Sequence, residues 1–569
     1  MSPRPLSGAQ LICAALRQAG IECVFGLPGT QTVGLYEALR TSPLRSIVAT
    51  HELSAAMMAN GYYRSSGRVA ALLTIPGPGF TWALTGLAEA ALDSAALLHL
   101  TTQPARAPGQ RFQLQALDQT AIAAALTKAQ HQIDQAGDIA TVLAAAHAEA
   151  GAGEPGPVLV QVAREALRES APLPAAMPAP PAPAAPDPAA LDEVVSALGR
   201  AERCVLLLGQ GCAGAAELAT RLAETLSAAV VTTTSGRGVV AEDHPLSLGF
   251  ELGGNECATL NALIEASDLV LAIGCKFSHN GSRGFELRIA PDKLIHLDAG
   301  AEVLGANYPA RQLVCADAHA FLGALLPRLG SRAGQGGFNV EEIAQWRTRC
   351  LAEGQRHRVE PRIHGVPSGQ PQAFFEALRR ALPRHSCLVT DSGQHQGLAR
   401  RHFRVLCPRG LIVPTNLQSM GFGISAAIGA CLADPDRPVV ALIGDGGLAM
   451  SGLELLTAVR ERLRLTVIVF VDGAYGLIRM QQLATSGHAH GTEFNGPDLA
   501  TFAAAIGAAH VRLDGEPETI LAAAIGAAGV TLVEVRVGDT MPMHWLRARS
   551  VARGALGARL RTWLRRRRG

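Results

Sequence analysis

The sequence predicts an α/β protein of three doubly wound, parallel-sheet domains, and three observations carry the prediction. Short apolar runs alternate with helical stretches along most of the chain, the pattern of a parallel sheet covered on both faces by crossover helices. A proline-rich segment from Ser170 to Ala190 and a Gly/Arg/His-rich one from Ser331 to Gln370 divide that alternation into three blocks. At 569 residues the chain also exceeds the roughly 250–300 residues at which a single core stops growing.

The first block, residues 1–170, opens with Ser7 as a helix N-cap. Leu11, Ile12, Ala15 and Leu16 supply an apolar face, and Gly20 supplies a stop. A strand at Ile21–Phe25 then leads into the loop Gly26-Leu27-Pro28-Gly29-Thr30, and further strands are predicted at Arg45–Thr50, Val69–Ile75 and Ala96–Thr102. Residues 171–190 read as an extended linker, because their proline density excludes helix and interior strand. The second block, 191–330, has predicted strands at Cys204–Leu208, Ala229–Thr233, Leu269–Ile273 and Leu294–Leu297. A connection at 331–370 precedes the third block, 371–545. That block begins with a helix near Ala373–Ala381 and continues with strands at Leu388–Thr390, Val439–Ile443 and Thr466–Val471. A basic tail, 546–569, ends the chain; such a short charged terminus is most often only solvated. No short tandem repeat is visible, and any common ancestry of the first and third blocks is not displayed by the sequence.

Composition narrows the function. Hydrophobic residues make up 48% and charged residues 17% of the chain, which suits a large globular enzyme and excludes disorder. A net charge of +2 argues against nucleic-acid and membrane-surface partners and in favour of small molecules. The 11 cysteines stand singly with no C-x-x-C pair, so neither a zinc site nor a redox dithiol is signalled. The opening MSPRPLSGAQ has no apolar signal core, and no run approaches the ~18 apolar residues of a membrane span. A cytoplasmic protein is expected.

The most informative stretch runs from Ala441 to Arg479. A strand enters Gly444-Asp445-Gly446-Gly447, where small residues let main-chain amides approach a phosphate and the aspartate can hold a hard cation. Ser451 and Glu454 have capping-box spacing, which predicts a helix from Gly452 to about Leu463 before the next strand. Asp445 and Asp472 then both stand at strand carboxyl ends, the usual ligand edge of a parallel sheet. Taken singly, an aspartate after a strand is more often a cap or turn residue.

The whole unit resembles the thiamine-diphosphate signature, which opens with G-D-G and closes just under thirty residues later with Asn or Asp followed by x-x-Y-G. Here that close is Asp472-Gly473-Ala474-Tyr475-Gly476. The resemblance is to acetolactate synthase-like enzymes of the large catalytic subunit type. It implies a pyrimidine-binding, a central Rossmann-like and a diphosphate-binding domain. It further implies that Asp445, Asp472 and the Ala474 carbonyl hold Mg²⁺, with Gly444, Gly446, Gly447 and Tyr475 around thiamine diphosphate. Val471-Asp472 replaces a common double asparagine. Asp391-Ser392-Gly393-Gln394-His395-Gln396 is similar to D-x-G-Q-H-Q, which places Gln394 and His395 at the diphosphate. Gln418-Ser419-Met420-Gly421-Phe422-Gly423 resembles the segment that grips the aminopyrimidine, with Met420 wedging the cofactor into a V shape.

In the first block, HELSAAMMANGYYRSSGR from His51 resembles the family's H-E-x-x-A segment. By that resemblance Glu52 bonds N1′ of the aminopyrimidine and favours the imino tautomer that deprotonates thiazolium C2. A glutamate in a first helical turn otherwise commonly serves only the helix dipole. Phe25–Gly29, Gly77–Thr81 and Leu92-Asp93-Ser94 match F-G-x-P-G, G-P-G-x-T and L-D-S. The stretch from Leu114 to Lys128 resembles F-Q-E-x-D, making Gln115 an active-site polar group. Leu114 and Trp82 replace the usual phenylalanine and asparagine and reshape the pocket.

Gly236-Arg237-Gly238 and Asp243-His244-Pro245 resemble the central domain's G-K-G and H-P. Some members bind FAD in this domain, but Lys276-Phe277-Ser278-His279-Asn280 stands where they have an R-F-D-D-R-like stretch, so FAD is not favoured. The implied activity is 2-oxo acid decarboxylation with carboligation, in a homodimer or homotetramer. Gln481 stands where the synthases carry tryptophan, which keeps a non-ligating 2-oxo acid decarboxylase as the alternative. A non-catalytic cofactor-binding paralogue is disfavoured by intact Glu52, Asp445 and Asp472. A dehydrogenase is disfavoured because no G-x-G-x-x-G follows a strand with an acidic residue about 20 positions later.

Overall fold

The computed structural model describes residues 5–103, 112–174, 184–251, 257–330, 337–355 and 360–538; the predicted basic tail lies outside them. In the first domain, strands β1 (Cys23–Gly26), β2 (Arg45–Val48), β3 (Ala70–Thr74), β4 (Leu97–Thr102), β5 (Ala129–Ile133) and β6 (Pro157–Val162) form one sheet in the order β2-β1-β3-β4-β6-β5. The middle domain orders β7 (Cys204–Leu208), β8 (Ala229–Thr232), β9 (Ser247–Glu251), β10 (Leu269–Ile273), β11 (Leu294–Asp298) and β12 (Gln312–Cys315) as β9-β8-β7-β10-β11-β12. That is the 3-2-1-4-5-6 order of a Rossmann sheet.

The third domain contains β13 (Cys387–Thr390), β14 (Leu411–Ile412), β15 (Val439–Gly444), β16 (Leu465–Val471), β17 (Ala509–Arg512) and β18 (Val530–Arg536), ordered β14-β13-β15-β16-β18-β17. Every pairing in these three sheets is parallel. The first and third sheets share one strand order, a likeness the sequence does not display.

Helices α1 (Glu52–Ser66) and α2 (Pro78–Leu92) follow β2 and β3. In the third domain α3 (Gln394–His402) follows β13, α4 (Phe422–Ala433) follows β14, and α5 (Asp445–Ser451) follows β15. Thus α1 corresponds to α4, and α2 to α5. The α1 helix starts where His51, its N-cap, accepts from the Leu53 amide, and it ends at Gly67 with φ +80°. Its Ala and Gly content, with that of α4, leaves both helices buried on almost every side, as a helix without a polar face must be.

The two helices pack together at reciprocal glycines. A Cβ on Gly61 would lie 2.1 Å from the Ala426 carbonyl oxygen, and one on Gly429 would lie 2.0 Å from that of Met58. Met58/Gly61 and Ala426/Gly429 therefore meet as i, i+3 pairs about a local pseudo-twofold. One apolar core joins the first and third domains through this contact, whereas the middle domain has its own.

Two buried ion pairs tie the domains together. Arg64 Nη1 donates to Asp93 Oδ2 at 2.8 Å and to the Val413 carbonyl at 2.6 Å, while Asp93 accepts the Thr415 amide. Arg237 pairs with Glu242 and donates to the Arg400 and Phe403 carbonyls, while Glu242 accepts the Val405 amide. Among the described residues no helix is long and apolar enough to cross a membrane.

The helix predicted from Gly452 to Leu463 is corrected. The α helix already begins at Asp445, with Gly444 as N-cap, so Asp445-Gly446-Gly447 is a first helical turn and not a loop. A 3₁₀ turn follows at Gly452–Glu454, then a short helix at Leu455–Arg460. Ser451 makes no capping bond; the Glu454 carboxylate instead reaches the first domain. The cap at Ser7 has the predicted form, completed by Gln10.

Candidate active site

Glu52 and Gln115 flank a single turn of the first domain. A Cβ on Gly79 would sit 3.0 Å from Glu52 Oε1, and one on Gly77 would sit 3.1 Å from Gln115 Cβ. Gly77 has φ +68° and Gln115 φ +61°, so the close approach depends on glycine at the turn. Glu52 is only 6% exposed, and both Glu52 Oε2 and Gln115 Oε1 are buried without a hydrogen-bond partner among the described residues. An orphaned buried oxygen costs about 1–3 kcal/mol unless a ligand donor meets it. Beside Glu52, the His51 ring stacks on the exposed Trp82 indole at 4.9 Å.

The third domain supplies a cleft of about 120 Å³. It is lined by Gln394, His395 and Met420, by Gly444–Gly447, and by Asp472, Ala474 and Tyr475. Asp445 Oδ1 accepts the Gly446 amide, and its Oδ2 accepts those of Asp472 and Gly473. Asp472 Oδ1 accepts the Ala474 amide. Burial, then the Asp445 carboxylate, pushes Asp472 up to about 6; burial likewise raises Asp445. A bound cation would relieve both effects. No cluster of three or more His, Cys, Asp or Glu side chains placed for a metal occurs among the described residues.

The glycines form the floor. A Cβ on Gly446 would meet the Tyr475 ring at 3.0 Å, and one on Gly444 would meet the His395 ring at 3.4 Å. His395 Nε2 donates to the Asp391 carbonyl at 3.0 Å, and burial depresses the ring to about 4, so it stays neutral. The N-terminus of α3 opens at this cleft with Gln394 as its first residue, the end of a helix at which an anion is favoured. Met420 closes the opposite side, its Cε 3.4 Å from a Cβ on Gly446.

Each of the two domains thus carries its own set of candidate groups. The cleft lining contains neither Glu52 nor Gln115. Gln418 is also outside it: its Nε2 donates to the Thr415 carbonyl and its Oε1 accepts from Ser392, so its side chain orders the loop.

What the buried carboxylates of Asp391, Glu454 and Glu89 hold is not evident from the sequence. Asp391, raised to about 7 by burial, accepts the Ser392 and Gly421 amides and so ties β13 to the head of α4. Glu454 accepts the Thr50 amide and hydroxyl. Glu89 accepts the Ser419 amide; burial, then the Asp93 carboxylate, holds its own carboxyl above the usual range. Asp391 stood inside a motif and Glu454 at a cap-like spacing, but nothing local marks Glu89.

A Rossmann-type middle domain between two sheets of identical order, with a glycine-floored acidic cleft on one and an orphaned glutamate on the other, defines a three-domain diphosphate-cofactor enzyme. The thiamine pyrophosphate enzyme models match residues 6–122 (N-terminal TPP binding domain), 191–325 (central domain) and 391–535 (C-terminal TPP binding domain). The chain belongs to this thiamine-diphosphate-dependent family and is an acetolactate synthase-like member of it. It is 31% identical over 559 residues to a probable acetolactate synthase 2 of Oryza sativa, covering 93% of this chain and 83% of that one. It is 30% identical over 481 residues to the acetolactate synthase isozyme 1 large subunit of Escherichia coli, covering 84% and 83%. It is also 31% identical over 546 residues to a probable 2-ketoarginine decarboxylase of Pseudomonas aeruginosa, covering 94% of each.

Proposed function

We propose that this enzyme decarboxylates a 2-oxo acid and joins the remaining carbon fragment to a second carbonyl compound, as an acetolactate synthase-like carboligase. The carrying observation is Glu52, a buried carboxylate at a helix head with an oxygen that no group among the described residues satisfies. A ring nitrogen bearing a proton is the donor such an oxygen fits. Bound thiamine diphosphate supplies an electron sink for negative charge at the substrate's carbonyl carbon.

The chain's own groups divide the remaining work. Gln394, His395, Gly444, Gly446, Gly447 and Tyr475 shape the diphosphate cleft. Asp445, Asp472 and the Ala474 carbonyl would hold Mg²⁺, an assignment supported by the hard oxygen donors and by the raised Asp472. Met420 orients the ring, Glu52 holds a proton at the pyrimidine, and Gln115 faces the substrate. The lining of the third-domain cleft includes no first-domain residue, which supports a homodimer or a homotetramer as the active unit. Exposed Val33, Trp82 and Leu114 on the first domain, and Met450, Leu453 and Ile478 on the third, support it.

FAD is not part of this reading. A cavity of about 640 Å³, lined in part by Lys276, Phe277 and Ser278, opens where the three domains meet, but that stretch departs from the R-F-D-D-R-like one of the FAD-binding members. Lys276 pairs with Glu154, and Asn280 donates to the Thr415 carbonyl. A cytoplasmic setting is supported by the free thiols among the described cysteines.

Holoenzyme incubated with a panel of 2-oxo acids, with CO₂ and carbon-bonded products read by mass spectrometry, tests the reading. Glu52→Gln should retain cofactor and lose roughly 10²–10⁴-fold in rate; unchanged turnover would remove Glu52 from the chemistry. CO₂ and aldehyde without ligated product would favour the second reading, a plain decarboxylase. Gln481 and the similarity to the probable 2-ketoarginine decarboxylase support that alternative.

A further inference from the structure

The shared strand order places both Glu89 and Glu454 in the segment that follows the third strand of its sheet. Glu89 lies on α2, after the third strand of the first sheet, and Glu454 lies just beyond α5, after the third strand of the third sheet. Both carboxylates are almost fully buried, at 0% and 1% exposure, and each crosses to the other domain. Glu454 accepts the Thr50 amide at 3.1 Å and the Thr50 hydroxyl at 2.6 Å, and is itself held by the Thr457 hydroxyl at 2.6 Å. Glu89 Oε2 accepts the Ser419 amide at 3.0 Å, while its Oε1 is buried without a partner.

What they hold is the second correspondence. Thr50 stands two residues before Glu52 at the head of α1, and Ser419 stands one residue before Met420, ahead of α4. These are the segments that present the candidate site groups of the two domains. A carboxylate in apolar surroundings is costly unless it meets donors, so an apolar residue would serve packing better at either position. Two such carboxylates, each beyond the third strand of its sheet and each crossing to the other domain, are most economically explained by the segments they anchor.

We propose that Glu89 and Glu454 are reciprocal positioning residues: each is sent across the domain interface to fix the segment presenting the other domain's site group, Met420 for Glu89 and Glu52 for Glu454. The proposal rests on the functional reading above for what those groups do, but not for the anchoring itself.

The test uses the full chain with Glu89→Gln and Glu454→Gln, since an amide in place of a carboxylate keeps size and loses a charge-assisted acceptor. Amide hydrogen exchange without cofactor should rise about tenfold or more around Thr50 in Glu454→Gln and around Ser419 in Glu89→Gln, each leaving the other segment at the wild-type rate. With Mg²⁺ and thiamine diphosphate, Glu454→Gln should keep cofactor affinity within about threefold and slow hydrogen exchange at thiazolium C2 about tenfold or more. Glu89→Gln should instead weaken cofactor affinity by a similar factor. Thr50→Val, which removes only the hydroxyl donor, repeats the Glu454→Gln pattern more weakly should that variant fail to fold.

Uniform loosening in both variants, or unchanged exchange at both segments, would overturn the proposal and leave the carboxylates a purely structural role. Wild-type protein that fails to bind thiamine diphosphate would refute the functional reading, while the local exchange rates would still decide the anchoring.

Discussion

Replacing Gly429 by alanine places a methyl group 2.0 Å from the Met58 carbonyl oxygen and 2.9 Å from the Tyr62 nitrogen, both main-chain atoms that cannot swing aside. Ordinary contact begins at 3.4 Å, so α4 must recede from α1 by 3.4 − 2.0 = 1.4 Å. A radial gap of about 0.5–1 Å already forfeits a quarter to a half of the dispersion attraction. The full displacement therefore costs on the order of 3–5 kcal/mol, comparable with a severe core truncation. Alanine returns about 1 kcal/mol of helix propensity, leaving a net loss of about 2–4 kcal/mol. Amide exchange in α1 and α4, with the urea midpoint of the transition that unfolds them, would measure it. Gly61→Ala should cost a similar amount, and the double variant less than the sum, because one separation relieves both contacts. Gly323→Ala is the control, in a helix where a Cβ meets nothing within 4 Å; it should be neutral or stabilising. Gly429→Ala with wild-type midpoint and exchange would refute the crossing geometry.

Other outcomes follow from the buried charges. Arg237→Ala leaves Glu242 charged and buried and should cost about 3–5 kcal/mol in thermal or urea unfolding, whereas replacing both by apolar residues should cost far less. Burial depresses His99 to about 3. Below the unfolded value of 6.5 the unfolded chain takes up a proton that the folded one refuses, so stability falls as pH falls. The loss should be on the order of 2 kcal/mol by pH 5, and pH-dependent unfolding of His99→Gln should be flatter. Asp445→Ala or Asp472→Ala should abolish Mg²⁺-dependent retention of thiamine diphosphate in calorimetry while the protein stays folded. Purified protein should be colourless; stoichiometric flavin absorbance surviving dialysis would contradict the reading of Lys276–Asn280.

The sequence by itself determined whatever depends on neighbours along the chain. Continuous apolar runs such as Cys204–Leu208 and Leu269–Ile273 are strands over the residues expected, because burial on both faces of a parallel sheet demands that composition. The glycine-floored cleft was legible for a similar reason, since Gly444–Gly447 and Asp472–Tyr475 act as contiguous main-chain turns. Edge strand β5, with the sequence Ala-Gln-His-Gln-Ile, escaped notice because only Ile133 of it is buried and its sequence is largely polar. Only the tertiary structure decided the rest. Ser451 and Glu454 have the spacing of a cap, yet the carboxylate takes donors from Thr50, 404 residues away in sequence, where two hydrogen bonds in a dry interface outweigh one at an exposed helix end. Glu89 looks like any helix acid until Ser419 arrives against it. The matching order of the first and third sheets, and the reciprocal glycines between α1 and α4, are likewise invisible in one dimension. Strand order and interface contacts arise from the mutual burial of elements distant in sequence, and no local pattern encodes which distant surface an element will meet.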